Sequence, residues 1–231
     1  SQPMRAKHEG YARMSSLDFV LEDNDTIPAD KGVFLNVTRR LNKKICNYIS
    51  SSFYDSRLTS DSITETRSVN LKLDPIKDEG LFYVPIEHTG CSQRSDEEAD
   101  LIEKTYNKII NKEFKAGDTT GKISAKDIMV VAPYNAQANN IRERLKKKFK
   151  EDVRVGTIDL FQGQEAKVVL ISMTTSDVES LPRHKDFFFS RNRLNVAISR
   201  AECVAIIIFN ENLLLASASS IKEMKLMNSF C

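Results

Sequence analysis

Cysteine and histidine are scarce in this 231-residue chain, and neither residue type forms a recognisable motif. The four cysteines lie far apart and include no C-x-x-C pair, which argues against both a disulfide framework and a cysteine-based zinc site. The three histidines, His8, His88 and His184, have no partner at the spacing of metal ligands. The sequence therefore predicts reduced thiols, no bound metal and an intracellular protein, either cytoplasmic or associated with the nucleoid.

Long apolar runs and a strong charge of one sign are also absent. No stretch approaches the length needed to cross a bilayer, and the polar first thirty residues show no signal-peptide pattern, so no membrane partner is expected. A net charge of +2 neither predicts nor excludes nucleic-acid binding. Basic residues do cluster at 142–150 and 183–193. Such clusters are usually solvated helix faces, and a phosphate-facing surface is the alternative.

The motifs of a complete nucleotide-hydrolysing site are missing as well. No G-x-x-x-x-G-K-[ST] loop occurs, and no predicted strand ends in an Asp-Glu pair suited to magnesium. The segment 117–122, G-D-T-T-G-K, is one residue short of that spacing, and Ile123 replaces the hydroxyl residue. No nucleophile–base pair is visible either. We therefore expect no ATP hydrolysis by this chain alone.

The apolar pattern of what remains is that of an α/β protein. Predicted strands cover about 33–37, 81–86, 128–132, 153–156, 168–172 and 204–209, and predicted helices about 40–55, 95–113, 135–149 and 191–201, before a helical C-terminal tail. Residues 115–126 are expected to form a loop. The alternation of strand and helix predicts a mostly parallel sheet with helices on both faces. We expect an irregular segment at 1–32 and one domain at 33–231.

Two polar stretches adjoin the predicted strands. Residues 156–165 read G-T-I-D-L-F-Q-G-Q-E, and residues 191–201 read R-N-R-L-N-V-A-I-S-R-A. Open α/β sheets bind ligands beyond the ends of adjacent strands, so these stretches are candidates for a site. In the second, an apolar stripe at helical spacing (Leu194, Ala197, Ile198 and Ala201) predicts packing on the sheet. Arg193 and Arg200 are seven residues apart and are expected to share one edge of that stripe.

These stretches resemble the motifs of a known enzyme family. T-I-D-x-F-Q-G-Q-E resembles motif V of superfamily 1 helicases, in the branch that includes the nonsense-mediated-decay RNA helicase and senataxin, and R-L-N-V-A-I-S-R-A is similar to motif VI. F-L-N-V-T-R-R-L-N-K with a later F-Y resembles motif IV, and P-Y-N-A-Q resembles the family's P-Y-x-x-Q segment. The resemblance covers about residues 30–210. It implies the second RecA-like domain, of the P-loop NTPase type, of an ATP-dependent helicase.

The resemblance assigns roles at the phosphates of ATP. Arg40 and Arg200 match arginines that reach the γ-phosphate, where a planar, permanently charged guanidinium neutralises the charge of phosphoryl transfer. Arg193 is expected to bind phosphate or to orient the loop. The alternative for each helical arginine is an ordinary solvent-exposed or ion-paired side chain.

Further roles concern the nucleoside. Arg39 stands where the family usually has a tyrosine or tryptophan that stacks on adenine, and a guanidinium plane can also stack on a ring. Gly163 is expected to let the backbone approach the ligand, and Glu165 to accept hydrogen bonds from ribose hydroxyls. A turn glutamate paired with a lysine is the alternative for Glu165.

Three residues are candidates for binding single-stranded nucleic acid. By the resemblance, Thr157 donates to a phosphate and Asp159 belongs to the same groove, although Asp159 can equally form an Asx turn. Tyr134 either stacks on a base or packs under the end of its strand.

The implied ligands are ATP and Mg²⁺, with Mg²⁺ held by a preceding domain that is absent from this chain. The implied partners are single-stranded nucleic acid and that N-terminal RecA-like domain of the same parent chain. Ser1-Gln2-Pro3 is similar to the end of the family's motif III, which places the boundary there. The alternative is a non-catalytic domain that binds nucleic acid or protein and keeps the fold. The presence of Arg40, Glu165 and Arg200 together favours the enzyme.

Overall fold

The central element of the structure, a computed structural model that describes residues 16–21, 24–150, 152–176 and 191–215, is a sheet of five parallel strands. The helices are α1 (Ser16–Leu21), α2 (Lys43–Phe53), α3 (Asp96–Ile109), α4 (Asn135–Phe149) and α5 (Arg191–Ile198). The strands are β1 (Val37–Thr38), β2 (Thr59–Ser60), β3 (Ser68–Val69), β4 (Gly80–Pro85), β5 (Glu113–Ala116), β6 (Thr119–Lys122), β7 (Ile128–Val131), β8 (Arg154–Gly156), β9 (Ala166–Ser172) and β10 (Ala201–Phe209).

The strand order in the main sheet is β4-β10-β9-β7-β8. Every neighbouring pair is parallel, so all strands begin at one edge of the sheet, the amino edge, and end at the other, the carboxyl edge. β4 lies at the side of the sheet and ends at Pro85, and both places suit a proline because it cannot donate to a ladder. β1 and β2 form a separate parallel pair, and β3, β5 and β6 an antiparallel sheet.

The main sheet is covered on both faces, because its side chains alternate between two apolar clusters. In β9, Val169 and Ile171 pack with residues of α2 and α5, whereas Val168 and Leu170 pack with residues of α3 and α4. All four side chains are fully buried. Burying one such side chain contributes about 1.5–3 kcal/mol, so the strands are held chiefly by these two cores. The prediction of an α/β, RecA-like sheet with helices on both faces is confirmed.

The caps of α2 and α3 tie these helices to the sheet. Asn42 accepts from Ile45 N at 3.0 Å and donates through Nδ2 to the carbonyl of Cys203 in β10. Ser95 Oγ accepts from Glu98 N at 3.1 Å. The Glu98 carboxylate instead reaches a buried group of hydrogen-bonded residues at the carboxyl edge, which we call the histidine network. Its members are His88, Glu98, Ser172 and Thr174.

Several sequence predictions of secondary structure were wrong. Only Val37 of the predicted strand 33–37 is in a strand, because the side chains of Val33 and Leu35 are 85% and 83% exposed and have no partner strand. The predicted loop 115–126 contains the β5–β6 hairpin, turned at Gly117 with a φ of +63°. α5 ends at Ile198 rather than at Ala201. The predicted C-terminal tail lies mostly outside the described residues.

The basic run at 142–150 pairs with acidic residues of α3. Arg144 forms ion pairs with Asp96 and Asp100, and Lys148 Nζ lies 2.8 Å from Glu103 Oε1. Of the two interpretations of this run, the structure therefore favours an ordinary helix face for Arg144 and Lys148. Across the described residues, no helix combines the length and the apolar character that a membrane crossing requires.

Candidate nucleotide and nucleic-acid sites

Three predicted site residues meet at the amino edge, next to the first residues of β9 and β10. Arg40 Nε donates to Glu165 Oε2 at 2.7 Å, and Arg40 Nη1 lies 3.5 Å from the carbonyl of Ser199. Arg200 follows Ser199, and its Nη1 donates to the carbonyl of Gln164 at 3.2 Å. Arg40, Glu165 and Arg200, which we call the arginine cluster, come from segments up to 160 residues apart.

Arg40 is placed by contacts of its own backbone. Its carbonyl accepts from Arg67 Nη1 at 2.7 Å, and its N–H donates to Thr38 Oγ1 at 3.3 Å. Two residues later, Asn42 N donates to the carbonyl of Glu202 at 3.2 Å. Because Glu202 is the second residue of β10, the start of α2 and Arg40 are held against the amino edge.

Glu165 is placed by a tight turn and by an arginine behind it. Gln162 has φ −58° and ψ 128° and Gly163 has φ +79°, the angles of a type II turn, closed by a hydrogen bond from Gln164 N to the carbonyl of Phe161. Gly163 is needed there for its positive φ. Arg154 Nη1 donates to the carbonyl of Glu165 at 3.1 Å, which fixes the segment from behind.

Arg200 is not on the predicted helix edge with Arg193, because it lies in the turn between α5 and β10. Its carbonyl accepts from Ala166 N at 3.0 Å, so the strand pairing itself sets its backbone. Burial lowers the pKa of Arg200, the nearby Arg40 lowers it further, and Glu165 opposes both. Its Nε is buried and has no hydrogen-bond partner among the described residues. Two neighbouring cations with an unused donor are an arrangement that suits a bound anion.

A pocket of about 510 Å³ opens beside Arg40 and Glu165. Its lining includes Arg39, and the apolar part is provided by Phe34, Leu35, Val37, Leu41, Ile49, Tyr54 and Leu58. The side chain of Arg39 is 79% exposed, and its Nε lies 3.1 Å from Asp61 Oδ2. Arg193 is partly buried on α5 and does not line this pocket. Arg39 thus lines the same pocket as Arg40 and Glu165, whereas Arg193, like Arg200, lies outside the lining.

The predicted nucleic-acid residues lie at the opposite, carboxyl edge. Tyr134 follows β7 and Thr157 follows β8, and the two strands are hydrogen-bonded neighbours. Asp159 is exposed, next to Leu160, whose side chain is 60% exposed. Tyr134 packs partly on the core, and burial raises its pKa to about 12. Residues 156–165 therefore run from the carboxyl edge to the amino edge and connect the two candidate sites.

Sequence reasoning missed the residues that hold the arginine cluster in place. Arg67, Arg154 and Glu202 belong to no motif, and their contacts become visible only in the folded chain. A signal did exist for Arg154, since an arginine at the start of a short strand before the buried Val155 requires polar partners.

With this geometry established, comparison with known proteins identifies the family. A family model described as an AAA domain matches residues 15–212. The DNA polymerase alpha-associated DNA helicase A of Schizosaccharomyces pombe is 32% identical over 78% of this chain and 28% of its own length. An uncharacterised ATP-dependent helicase of Methanocaldococcus jannaschii is 32% identical over 78% of this chain and 27% of its own. The chain belongs to this family of superfamily 1 helicases.

Other members of the helicase family are also similar. Helicase sen1 of Schizosaccharomyces pombe is 30% identical over 76% of this chain and 10% of its own length, which agrees with the senataxin-like branch predicted from the motifs. Among solved structures, the C-terminal domain of a possible DNA helicase from Lactobacillus plantarum is 11% identical over 82% of this chain and 94% of its own, with a TM-score of 0.41. This helicase-family chain spans less than a third of the first two relatives.

Proposed function

We propose that this chain is the second RecA-like domain of an ATP-dependent helicase and that it supplies arginine fingers and part of the single-strand groove. The observation that carries the proposal is the arginine cluster. Arg40, Glu165 and Arg200 come together from segments far apart in sequence, and the first two line a pocket. The parent protein acts on nucleic acid inside the cell.

The residues present suit the phosphates and ribose of a nucleotide. Arg40 and Arg200 offer charged donors for phosphate oxygens, and the buried Arg200 Nε is a donor that an anion would satisfy. Glu165 offers a carboxylate for ribose hydroxyls. In the structure Glu165 is paired with Arg40, and their side chains are 51% and 35% exposed. Because an exposed pair contributes only about 0–1 kcal/mol, ligand groups can replace it at little cost.

The chemistry that these side chains provide is charge stabilisation. Phosphoryl transfer needs positioning and neutralisation of charge on the phosphoryl oxygens, and a guanidinium held by its backbone supplies both. Arg200 meets this condition, since strand pairing fixes its carbonyl. Glu165 is the sole carboxylate in the described lining of the pocket. In this proposal Mg²⁺, which helps to neutralise the phosphates, would be held by acidic residues of a preceding RecA-like domain.

The single-strand groove is assigned to the carboxyl edge, with Thr157, Asp159 and Tyr134. Residues 156–165 connect this edge with the arginine cluster, so a movement of Glu165 on nucleotide binding would be passed directly to Thr157. Opening and closing of a cleft between two RecA-like domains would then move the strand. Arg193, which is partly buried on α5, is proposed to orient that helix rather than to bind phosphate.

The proposal is tested with a longer protein that includes the coding sequence upstream of Ser1. We expect that sequence to contain a phosphate-binding loop and an Asp-Glu pair, and the longer protein to hydrolyse ATP when single strands are present. The 231-residue chain alone should release no phosphate. An upstream sequence without those motifs, together with an inactive longer protein, would support the non-catalytic alternative instead. Turnover by the repurified chain alone would also contradict the proposal.

A further inference from the structure

The loop between β4 and α3 carries a histidine that is held from one side only. The His88 ring is 0% exposed, and its Nε2 lies 3.0 Å from Glu98 Oε1. The other Glu98 oxygen accepts from Ser172 Oγ at 2.5 Å and from Thr174 N at 2.8 Å. The carboxylate is therefore fixed by the end of β9, and it in turn fixes the orientation of the imidazole.

The second ring nitrogen of His88 lacks the hydrogen bond that buried polar atoms normally have. Nδ1 is buried and has no hydrogen-bond partner among the described residues. A buried imidazole nitrogen without a partner costs about 1–3 kcal/mol, so it requires an explanation. Since Nε2 is engaged by Glu98, Nδ1 is the nitrogen available to a ligand.

Two further ligand groups lie beside this histidine. One ligand atom each of His88, Cys91 and Glu97 lies within 4.8 Å of the other two. Cys91 Sγ is 3.8 Å from Glu97 Oε2. A sulfur and an oxygen bound to the same tetrahedral zinc ion are about 3.6 Å apart, as follows from bond lengths of about 2.3 and 2.1 Å. The Cys91–Glu97 distance is thus within about 0.2 Å of the value expected for two ligands of one zinc ion.

We propose that His88, Cys91 and Glu97 bind a divalent transition-metal ion, with Zn²⁺ the best match to one nitrogen, one thiolate and one carboxylate. Glu98 then acts as the outer carboxylate that orients the histidine, one of the kinds of outer partner that metal-bound histidines use. Glu97 is exposed, which leaves a fourth position open to water. The sequence predicted no metal because no histidine has a partner at a familiar ligand spacing, and Glu97 lies nine residues after His88 and six after Cys91.

The ion would lock the β4–α3 loop onto the end of β9. The backbone of Cys91 is already bound there, since its carbonyl accepts from Ser176 N at 2.9 Å and from Thr175 Oγ1 at 3.0 Å. Its N–H donates to Ser176 Oγ at 3.1 Å. A metal held by the side chain of Cys91 would add a stronger bond to this junction at the carboxyl edge. This site is independent of the arginine cluster at the amino edge and does not rest on the proposed function.

The test is a titration of the chelator-treated 231-residue chain with Zn²⁺ and with Co²⁺, whose thiolate charge-transfer absorption reports a cysteine ligand. We expect one equivalent of metal per chain by dialysis and mass spectrometry, and the absorption band with Co²⁺. Cys91→Ala should abolish the band, and Glu97→Gln should weaken binding by about 10-fold or more. Both residues are at least partly exposed, so both variants should fold, which circular dichroism checks.

Two matched variants serve as controls. Cys203→Ala removes a buried cysteine of β10, and Glu113→Gln removes an exposed carboxylate of β5. Both should bind metal as the wild type does. The proposal is overturned if the wild type binds no stoichiometric metal, or if Cys91→Ala and Glu97→Gln bind with wild-type affinity.

Discussion

The amino and carboxyl edges of the sheet each hold a carboxylate against a nitrogen-bearing side chain, but the two pairs differ in exposure. At the amino edge, Arg40 and Glu165 meet at 2.7 Å with side chains 35% and 51% exposed. At the carboxyl edge, His88 and Glu98 meet at 3.0 Å with both side chains 0% exposed. Similar distances therefore join groups in very different surroundings.

The difference in surroundings separates a replaceable contact from a permanent one. Water and ligand groups can substitute for either partner of an exposed pair, so its net contribution is small. When one member of a buried pair is removed, the other stays buried and unpaired and keeps the full cost of desolvation. The arginine cluster is thus suited to bind and release a ligand, and the histidine network to hold β4, α3 and β9 together.

Matched truncations give the largest expected difference between the two edges. Glu98→Ala leaves His88 Nε2, Ser172 Oγ and Thr174 N without the acceptor they share, and should lower the free energy of unfolding by about 3–5 kcal/mol, since each unsatisfied buried donor costs about 1–3 kcal/mol. Glu165→Ala should lower it by less than about 1 kcal/mol. Urea unfolding of both variants measures this. Equal losses at the two edges would refute the distinction drawn from exposure.

Arg154→Ala tests whether Glu165 at the amino edge depends on the arginine that supports its backbone. The variant removes hydrogen bonds to the carbonyls of Lys126 and Glu165 and to Gln164 Oε1, and should cost about 1–2 kcal/mol of stability. Because Glu165 is then less well placed, the KM for ATP of the longer protein should rise several-fold. Arg144→Ala, an arginine of α4 that pairs with α3, is the control and should leave KM unchanged. An unchanged KM in Arg154→Ala would mean that Glu165 needs no support.

These contacts also show which features of the structure could be predicted from the sequence alone. The periodic apolar runs were enough to predict the parallel sheet, because buried strands and one-sided helices have distinct patterns. The motif resemblance identified Arg40, Glu165 and Arg200 as candidate site residues. The turn geometry of Arg200 was missed, because the buried stripe continues through Ala201 although the helix ends at Ile198. Periodicity alone does not distinguish a helix end from the first residue of a buried strand.

Long-range polar contacts could not be predicted from the sequence, for a different reason. The histidine network joins residues up to 86 positions apart, and nothing local marks Glu98 as buried. Ser95 and Glu98 match a capping box, but only half of the box forms. The backbone N–H of Ser95 donates to Gln137 Oε1 instead, at 2.9 Å. Tertiary packing thus redirected a side chain whose local pattern indicated another role.

Binding of single strands should show a smaller effect. The chain should bind labelled oligonucleotides weakly and with strong salt dependence, because such grooves contact phosphates. Thr157→Val removes a proposed phosphate donor and should weaken binding by about 1 kcal/mol, roughly fivefold. Thr120→Val on β6, in the separate antiparallel sheet, is the control. Fluorescence anisotropy at two salt concentrations decides, and salt-independent binding would count against the groove.

Arg39 should give the smallest effect. Its pair with Asp61 is exposed, so Arg39→Ala should leave the stability nearly unchanged. The pKa of Asp61 lies below its usual value chiefly because Ile63 N–H donates to it, with Arg39 a lesser cause. The variant should therefore raise that pKa only part of the way back, which an NMR titration of the carboxyl measures. Full return to the usual value would make Arg39 the main cause.

Arg200→Lys in the longer protein tests most directly whether the arginine cluster acts on the nucleotide. Lysine keeps the charge but loses the planar fork, and an arginine finger contributes about 10³–10⁵ in rate. We predict that kcat falls by at least about 10²-fold with an unchanged melting temperature. Arg193→Lys is the control, and its kcat should be close to that of the wild type. If folded Arg200→Lys keeps more than about a tenth of the wild-type kcat, Arg200 is not a finger and the proposed role of the cluster is wrong.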